Sequence, residues 1–458
     1  MLRLRENDND VAYRLGDNEV GCERHIMVSR YESTISNAAA RRKALGSFGD
    51  LGPGELAVDE WQGLGLDLPN IDALRAYRLD RVREQLRSRD YAGILLTDPL
   101  NVRYATDSTN MQVWCTHNAV RYAFVATDGP VIVFDFHGSA HLSEHLPLVD
   151  EVRSGKGLGY FFTGDGIDAA AERWASEIAD LVTAHGGGNI HLAIDKADRM
   201  GVEAIKARGL ALFDGQEVME LARVIKSADE IKAMRCAIAA SDVGMAVMQA
   251  HLEPGMTEQE LWAHLHAENI KRGGEWIETR LLASGQRTNP WFKECSSRVI
   301  EDGDIVAFDT DLIGPYGYCA DISRTWLCGD GLPTSRQKAM YQLAVEHIET
   351  NMFLLRPGLG FLEFASQSFP LPERYRANRY SAVLHGVGLC DEYPAVRYAE
   401  DAGNAYDGVF EVGMTVCVES YIGEENGPDG IKLEQQVLIT EKGAELLSHY
   451  PLESRFSD

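Results

Sequence analysis

Three aspartates surround a short turn in the second half of the sequence. Asp309 and Asp311 follow the apolar segment 305–308, and on a strand a spacing of two places both side chains on one face. The Gly-Pro-Tyr-Gly turn at 314–317 then brings a returning strand, which carries Asp321, alongside the first. Because their neighbours are apolar, burying these charges without a partner would be costly. The pattern predicts three carboxylates that converge on a cation.

Three further residues extend this set of candidate ligands. Glu419 ends a second apolar strand, Glu434 lies in an apolar strand at 431–439, and His385 lies in the segment 383–388. Five carboxylates and one imidazole supply enough ligands for two divalent ions about 3.5 to 4 Å apart. Any one of these acids alone would be read as a helix cap or a surface residue, whereas the ordered set on strands favours a metal site. The predicted metal ligands are Asp309, Asp311, Asp321, His385, Glu419 and Glu434.

A weak internal repeat could position these ligands. The segment Leu-Glu-Pro-Gly-Met at 252–256 follows one long predicted helix, and Leu-Arg-Pro-Gly-Leu at 355–359 follows another, 103 residues later. Each copy then has a strand with an acid six residues after a glycine, Asp309 in the first and Glu419 in the second. Two copies of a helix-helix-strand unit would form a pseudo-twofold domain with its site on the axis, although short turns can also resemble one another by chance.

The rest of the chain predicts an arm and two domains. Residues 1–65 read as an N-terminal arm with one short helix near 38–45, residues 66–225 as an α/β domain, and residues 226–458 as the ligand-bearing domain. Capping boxes at Ser227–Glu230 and Thr257–Glu260 predict the starts of two helices. The α/β domain is predicted to contain a helix at 72–90, a strand at 93–97, a hairpin of 122–127 and 131–136, a helix at 167–185 and a strand at 191–194.

Composition narrows the class of protein. The 458 residues contain 44 Lys and Arg against 70 Asp and Glu, a net charge of -26, which argues against a surface for nucleic acid or anionic lipid. No apolar run approaches the roughly 18 residues of a membrane helix, and the polar N-terminus does not resemble a signal peptide. The 8 cysteines form no CxxC pair, which indicates free thiols in a reducing compartment. We expect a cytoplasmic protein without a disulfide framework or a zinc finger.

The order Asp, Asp, His, Glu, Glu resembles the pita-bread family of methionine aminopeptidase, aminopeptidase P, prolidase and creatinase, over residues 70–450. Within that family, the segments 105–112, 266–280 and 385–392 are similar to one branch, the DddP-type dimethylsulfoniopropionate lyases. The resemblance implies an α/β fold with a creatinase-type N-terminal domain and a duplicated C-terminal pita-bread domain. It also implies a homodimer and two divalent transition-metal ions, with iron preferred and manganese, zinc or cobalt as alternatives.

The branch implies a base-initiated β-elimination on a small zwitterion. The substrate carries a carboxylate and a β-sulfonium, so removal of an α proton expels dimethyl sulfide and leaves acrylate. Asp391, six residues after His385, matches the base proposed for the family, and partial desolvation would raise its pKa toward the working range. Tyr380 could present its ring face to the sulfonium. A loop cap for Asp391 and core packing for Tyr380 are the structural alternatives.

Two other functions remain open at this point. An Xaa-Pro peptidase would share the metal ligands but also needs histidines near the substrate amide, and Phe292, Ser381 and Glu392 occupy the regions where the peptidases carry them. A catalytically silent pita-bread protein could act as a binding module, but such proteins typically lose ligands, and all six are present here.

Overall fold

The computed structural model describes residues 52–457, so the helix expected near 38–45 lies outside the described residues. The chain divides into two compact units. The N-terminal unit comprises residues 68–231 and 388–394, and the C-terminal unit comprises the described residues up to 67, residues 232–387 and those from 395 onward. The domain limits at 65 and 225 remain predictions.

The N-terminal unit is built on a six-stranded mixed sheet in the order β4-β3-β2-β1-β5-β6. The predicted hairpin is confirmed, since β2 and β3 pair antiparallel, and the predicted helix at 167–185 packs its apolar face on the sheet. The strands are Gly93–Leu96 (β1), Tyr122–Ala126 (β2), Val131–Asp135 (β3), Glu151–Ser154 (β4), His191–Ile194 (β5) and Ala211–Asp214 (β6). The helices are Ile71–Ser88, Pro99–Thr106, Gln112–His117, Tyr160–Thr163, Ile167–His185, Arg199–Ala207 and Gly215–Arg223.

The C-terminal unit contains two three-stranded sheets and one five-stranded sheet. Its helices are Glu55–Gly63, Ala228–His251, which begins in the N-terminal unit, Glu258–Lys271, Ser335–Leu354, Phe361–Gln367 and Glu373–Arg376. Its strands are Trp276–Ile277 (β7), Leu282–Ser284 (β8), Ile305–Asp309 (β9), Leu312–Ile313 (β10), Cys319–Ala320 (β11), Ser323–Leu327 (β12), Leu384–Val387 (β13), Asp391–Val396 (β14), which begins in the N-terminal unit, Thr415–Gly423 (β15), Gly430–Thr440 (β16) and Gly443–Leu446 (β17). None of the described helices has the length and apolarity needed to cross a bilayer.

Both predicted capping boxes form. The backbone N–H of Ser227 donates to Glu230 at 2.8 Å, and the backbone N–H of Glu230 donates to the Ser227 hydroxyl at 3.2 Å. Thr257 and Glu260 make the same reciprocal pair. These caps satisfy N–H groups that have no partner inside the helix, which explains why the two long helices begin where they do.

The internal repeat is visible in the backbone hydrogen bonds. Gly255 and Gly358 both adopt positive φ, +102° and +83°, as the turn between two helices requires. The N–H of Gly255 donates to the carbonyl of Ile300 at 2.9 Å, and that of Gly358 donates to the carbonyl of Phe410 at 2.8 Å. In each copy this bond ties the turn to the segment that enters the ligand-bearing strand. The C-terminal unit is therefore a duplication, as the spacing of the two Pro-Gly turns predicts.

Candidate metal centre

The strands of the C-terminal unit bring four of the predicted ligands into adjacent positions. In β15 and β16, which pair antiparallel, Glu419 stands directly opposite Glu434. In β13, His385 stands opposite Cys417 of β15, two residues before Glu419 and on the same face. In the first copy, Asp309 ends β9 opposite Ser323 of β12.

All six predicted ligands lie in three overlapping groups. The groups are Asp321, His385, Cys417 and Glu434; Asp309, Asp311 and Asp321; and Asp309, Glu419 and Glu434. Within each group, the possible ligand atoms lie within 4.8 Å of one another. Because the groups share members, they form one continuous cluster, referred to below as the carboxylate cluster.

Asp311 reaches the carboxylate cluster by a different route from the one its spacing suggests. β9 ends at Asp309, and Asp311 adopts a left-handed conformation with φ +36°. Its Oδ2 accepts a hydrogen bond of 2.6 Å from the Thr279 hydroxyl. The two aspartates converge because the chain turns after the strand, and not because they alternate along it. Asp311 does not lie on the strand as the spacing predicts, but its carboxylate does lie beside those of Asp309 and Asp321.

Lys432 is a member of this centre that the sequence analysis missed. Its side chain is fully buried, and its Nζ lies 3.1 Å from Asp309 Oδ2, 2.7 Å from Glu419 Oε2 and 3.1 Å from Glu434 Oε2. Nζ also donates to the Ser323 hydroxyl at 2.6 Å. The alternation of β16 carries the signal, since Lys432 precedes Glu434 by two residues and shares its face. The ammonium supplies one positive charge to a cluster of five carboxylates.

Burial and neighbouring charges act in opposite directions on these groups. Burial raises the pKa of Asp309 well above its usual value, and the negative charge of Glu434 adds to the effect. Burial would also raise the pKa of Glu434, but the neighbouring positive charge of Lys432 outweighs it, and that pKa lies well below its usual value. Burial would lower the pKa of Lys432, but the carboxylates, Asp309 first, raise it well above its usual value. Lys432 is therefore a permanent cation.

The imidazole of His385 is oriented as a metal ligand would be. Its Nδ1 lies 3.1 Å from the carbonyl oxygen of Gly386, which can only accept, so in the neutral ring Nδ1 carries the proton. The Nε2 lone pair then faces Asp321, Glu419 and Glu434 at 3.6, 3.4 and 3.6 Å. A lone pair facing three carboxylates is repulsive unless a cation lies between them. A backbone partner on the second ring nitrogen is the usual way to fix a ligating histidine.

Unsatisfied oxygens give an independent test of whether a metal fits. Among the described residues, Asp309 Oδ1, Glu419 Oε1 and Glu434 Oε1 are buried and have no hydrogen-bond partner. Buried carboxylate oxygens without a donor are rare in native proteins and call for an ion or a water. Oxygen and imidazole nitrogen are the donors that divalent transition metals accept. The residues present fit a metal pair.

Tyr380 borders the carboxylate cluster. Its ring centroid lies 4.9 Å from Lys432 Nζ, and its side chain packs against a small apolar group formed by Leu281, Trp291, Ala307 and Tyr421. Burial raises the pKa of the Tyr380 hydroxyl far above its usual value, and the nearby negative charge of Glu419 reinforces the shift. The phenol is neutral, so Tyr380 offers a ring face and not a phenolate.

Asp391 and Glu392 belong to the N-terminal unit. Asp391 is the first residue of β14 and is exposed, so the expected desolvation is absent in this chain. Glu392 is buried, with Oε2 2.9 Å from Lys226 Nζ and Oε1 3.1 Å from Arg223 Nε. Burial would raise the pKa of Glu392, but these two cations lower it below the usual value. Glu392 is an ionised member of a buried ion cluster and not a proton donor.

Two family models match the chain. Residues 232–441 match metallopeptidase family M24, and residues 78–231 match the creatinase/prolidase N-terminal domain. Among solved structures, an Xaa-Pro dipeptidase from Bacillus anthracis has a TM-score of 0.65 at 23% identity and covers 82% of this chain and 98% of its own. At that identity the likeness concerns the fold alone, and it agrees with the expected α/β class, creatinase-type domain and pita-bread domain.

Much greater identity is found with two curated proteins, both named dimethylsulfoniopropionate lyase DddP. The protein from Roseovarius nubinhibens is 48% identical over 410 residues, which cover 88% of this chain and 92% of the relative. The protein from Roseobacter denitrificans is 48% identical with the same coverage. The expected branch is confirmed, and the chain belongs to the DddP-type dimethylsulfoniopropionate lyases, within the pita-bread family of metallopeptidase M24 and creatinase-like proteins.

Proposed function

We propose that this protein cleaves dimethylsulfoniopropionate to dimethyl sulfide and acrylate by a metal-dependent β-elimination. The observation that carries the proposal is the 48% identity to two DddP lyases over 88% of the chain. The buried carboxylate cluster supports it, because all six expected ligands are present and grouped. A binding module without catalysis would have no need to keep the complete set.

The chain's own residues have separate roles in this reaction. The ligands that would hold the metal ions are Asp309, Asp311, Asp321, His385, Glu419 and Glu434. Ions held there would supply a Lewis acid for the negative charge that develops on the substrate carboxylate. Lys432 holds three of the ligand carboxylates in place and reduces their mutual repulsion. Tyr380 offers a neutral aromatic face beside the cluster, suited to the sulfonium.

Asp391 is the proposed base that removes the α proton. Its side chain is exposed at the start of β14, and a carboxylate is a group that can act as a general base. The role rests on the position of Asp391 six residues after His385 in the family motif.

The proposed function also includes a metal cofactor and an oligomeric state. We propose two divalent transition-metal ions per chain, with iron as the first choice and manganese, zinc or cobalt as alternatives, because carboxylate-rich sites accept all of these. We also propose a cytoplasmic homodimer that acts on a small zwitterion. The acidic composition, with a net charge of -26, gives no support to a nucleic-acid partner or a membrane partner.

Peptide hydrolysis is the alternative that the fold allows. The peptidase would need proton-transfer groups near the amide, and the three positions carry Phe292, Ser381 and Glu392. Glu392 is ionised and engaged by Lys226 and Arg223, so it cannot replace a histidine as a proton donor. Function depends on such groups and not on the fold.

A direct comparison of two substrates tests the proposal. The purified, metal-loaded protein is incubated with dimethylsulfoniopropionate, and headspace dimethyl sulfide and dissolved acrylate are measured. Xaa-Pro dipeptides and longer Xaa-Pro peptides are assayed in parallel at the same metal loading. We expect the two elimination products in equal amounts and no peptide cleavage. Peptide cleavage without sulfide would establish the hydrolase, and inactivity with both substrates would favour another small substrate or a binding role.

A further inference from the structure

Phe292 combines two unusual properties. The residue is 57% exposed, and its backbone has φ +69°, a left-handed conformation that bulky side chains rarely adopt. Conformations of this kind persist only where the surrounding structure imposes them, and they concentrate at functional sites. A large apolar ring that is both exposed and held in a costly conformation calls for an explanation beyond packing.

The loop around Phe292 is fastened on both sides of it. The side-chain amide of Asn289 donates to the carbonyl of Glu424 at 2.8 Å, and Lys293 Nζ donates to the carbonyl of Asn289 at 2.9 Å. The neighbouring Trp291 is buried against the apolar group that also contacts Tyr380. The exposed ring of Phe292 is therefore presented by a braced loop.

The ring of Phe292 extends an aromatic surface that begins at the carboxylate cluster. Its centroid lies 5.3 Å from that of Tyr380, with an angle of 34° between the two planes. On the cluster side, Tyr380 has the ammonium of Lys432 4.9 Å from its ring centroid. The ammonium of Lys432, the neutral ring of Tyr380 and the exposed ring of Phe292 thus follow one another outward from the carboxylate cluster.

We propose that Phe292 is a specificity-determining residue, and that its ring together with Tyr380 binds the dimethylsulfonium end of the substrate. This inference rests on the proposed lyase function. The substrate carboxylate belongs at the cluster, so the sulfonium lies about two carbon atoms away from it, toward the aromatic surface. A sulfonium is a cation covered by methyl and methylene groups and has no N–H to donate, so an aromatic face suits it better than a carboxylate does.

The reaction itself predicts how such a contact affects the kinetics. The Cα–H bond breaks and its proton goes to the base, the electron pair forms the Cα–Cβ double bond, and the C–S electron pair leaves with sulfur. The sulfonium charge therefore declines on the way to the transition state. A contact that favours the cation is stronger in the bound substrate than in the transition state, so losing it raises KM without a matching loss of kcat.

Phe292→Leu tests this inference because it keeps an apolar side chain but removes the ring. We expect KM for dimethylsulfoniopropionate to rise about 2- to 30-fold, the range of a single cation–π contact, with kcat within about twofold of wild type. The inhibition constant of 4-methylpentanoate, an isostere in which an uncharged CH group replaces the sulfonium, should change by less than about twofold. Phe292→Tyr should restore a KM near that of wild type.

Phe353→Leu is the matched control. Phe353 is 89% exposed on the helix Ser335–Leu354, so this variant loses an exposed ring elsewhere and should leave KM unchanged. An unchanged KM in Phe292→Leu, or equal changes for the sulfonium and its neutral isostere, would overturn the inference. Wild-type release of dimethyl sulfide is measured first. Its failure would reject the proposed lyase, whereas failure of the Phe292 series alone would reject only this inference.

Discussion

Replacing Lys432 by methionine should destabilise the metal-free protein strongly. Lys432→Met keeps the length of the side chain but removes an ammonium that lies within 3.1 Å of oxygens of Asp309, Glu419 and Glu434. All four side chains are buried, so solvent cannot replace the lost charge. Removing one partner of a buried ion pair costs about 3 to 5 kcal/mol, because the remaining charge is left uncompensated.

This free-energy loss corresponds to a large change in melting temperature. For folding units of 150 to 250 residues, each kcal/mol shifts Tm by roughly 2 to 4 °C, so Tm should fall by about 6 to 20 °C. The measurement is thermal unfolding by calorimetry or fluorimetry in excess chelator. Saturating Mn²⁺ should then raise Tm more in Lys432→Met than in wild type, since the variant has one more uncompensated carboxylate for a cation to neutralise.

Two further variants make this test specific. Lys442→Met removes an exposed lysine of the same unit and should leave Tm in chelator within about 1 °C of wild type, as expected for a surface substitution. Adding Glu419→Gln to Lys432→Met removes one negative charge and should recover part of the lost stability. If Lys432→Met has the wild-type Tm in chelator, or gains no more from Mn²⁺ than wild type does, the reasoning about charge compensation is refuted.

Asp391→Asn should lower turnover by about two to four orders of magnitude with metal content unchanged, because the amide cannot accept the α proton; near-normal turnover would return Asp391 to a structural role. Asp309→Ala should abolish activity and lower the metal content measured by elemental analysis, whereas a wild-type content of about two ions per chain would contradict its assignment as a ligand. Glu392→Gln should destabilise the protein most at pH values above about 4.3, the usual glutamate pKa, because the folded-state pKa of Glu392 is lowered by its two cations. The difference in Tm between this variant and wild type should shrink as the pH falls through that lowered pKa, and a difference that grows toward acid pH would reverse the assigned sign.

The sequence was sufficient to predict several helices and strands and to single out six candidate ligands that lie together in the structure, for a physical reason in each case. Helix starts are encoded locally, as at Ser227, where the cap and the glutamate three residues later satisfy each other. The ligands end or occupy apolar strands, so Asp309 and Glu419 stand out as acids where the pattern calls for apolar residues.

Two kinds of feature could not be predicted from the sequence: which strands pack around a given side chain, and which residues adopt an unusual backbone conformation. Lys432 reads as one more polar residue of an alternating strand, and the three carboxylates around its Nζ come from three different strands, β9, β15 and β16. Asp311 and Phe292 adopt left-handed conformations although neither is a glycine or an asparagine, the residues from which such a conformation is usually predicted.

The division of the ligands between two copies has a consequence for the order of folding. Ser323 of the first copy and Glu434 of the second are 111 residues apart in sequence, yet their side chains are hydrogen-bonded at 2.7 Å. Contacts of such long range form late, because the intervening chain must be ordered first. During synthesis the aspartates of the first copy leave the ribosome well before the glutamates of the second. The complete set of candidate ligands is therefore available to a metal only after Glu434 has been translated.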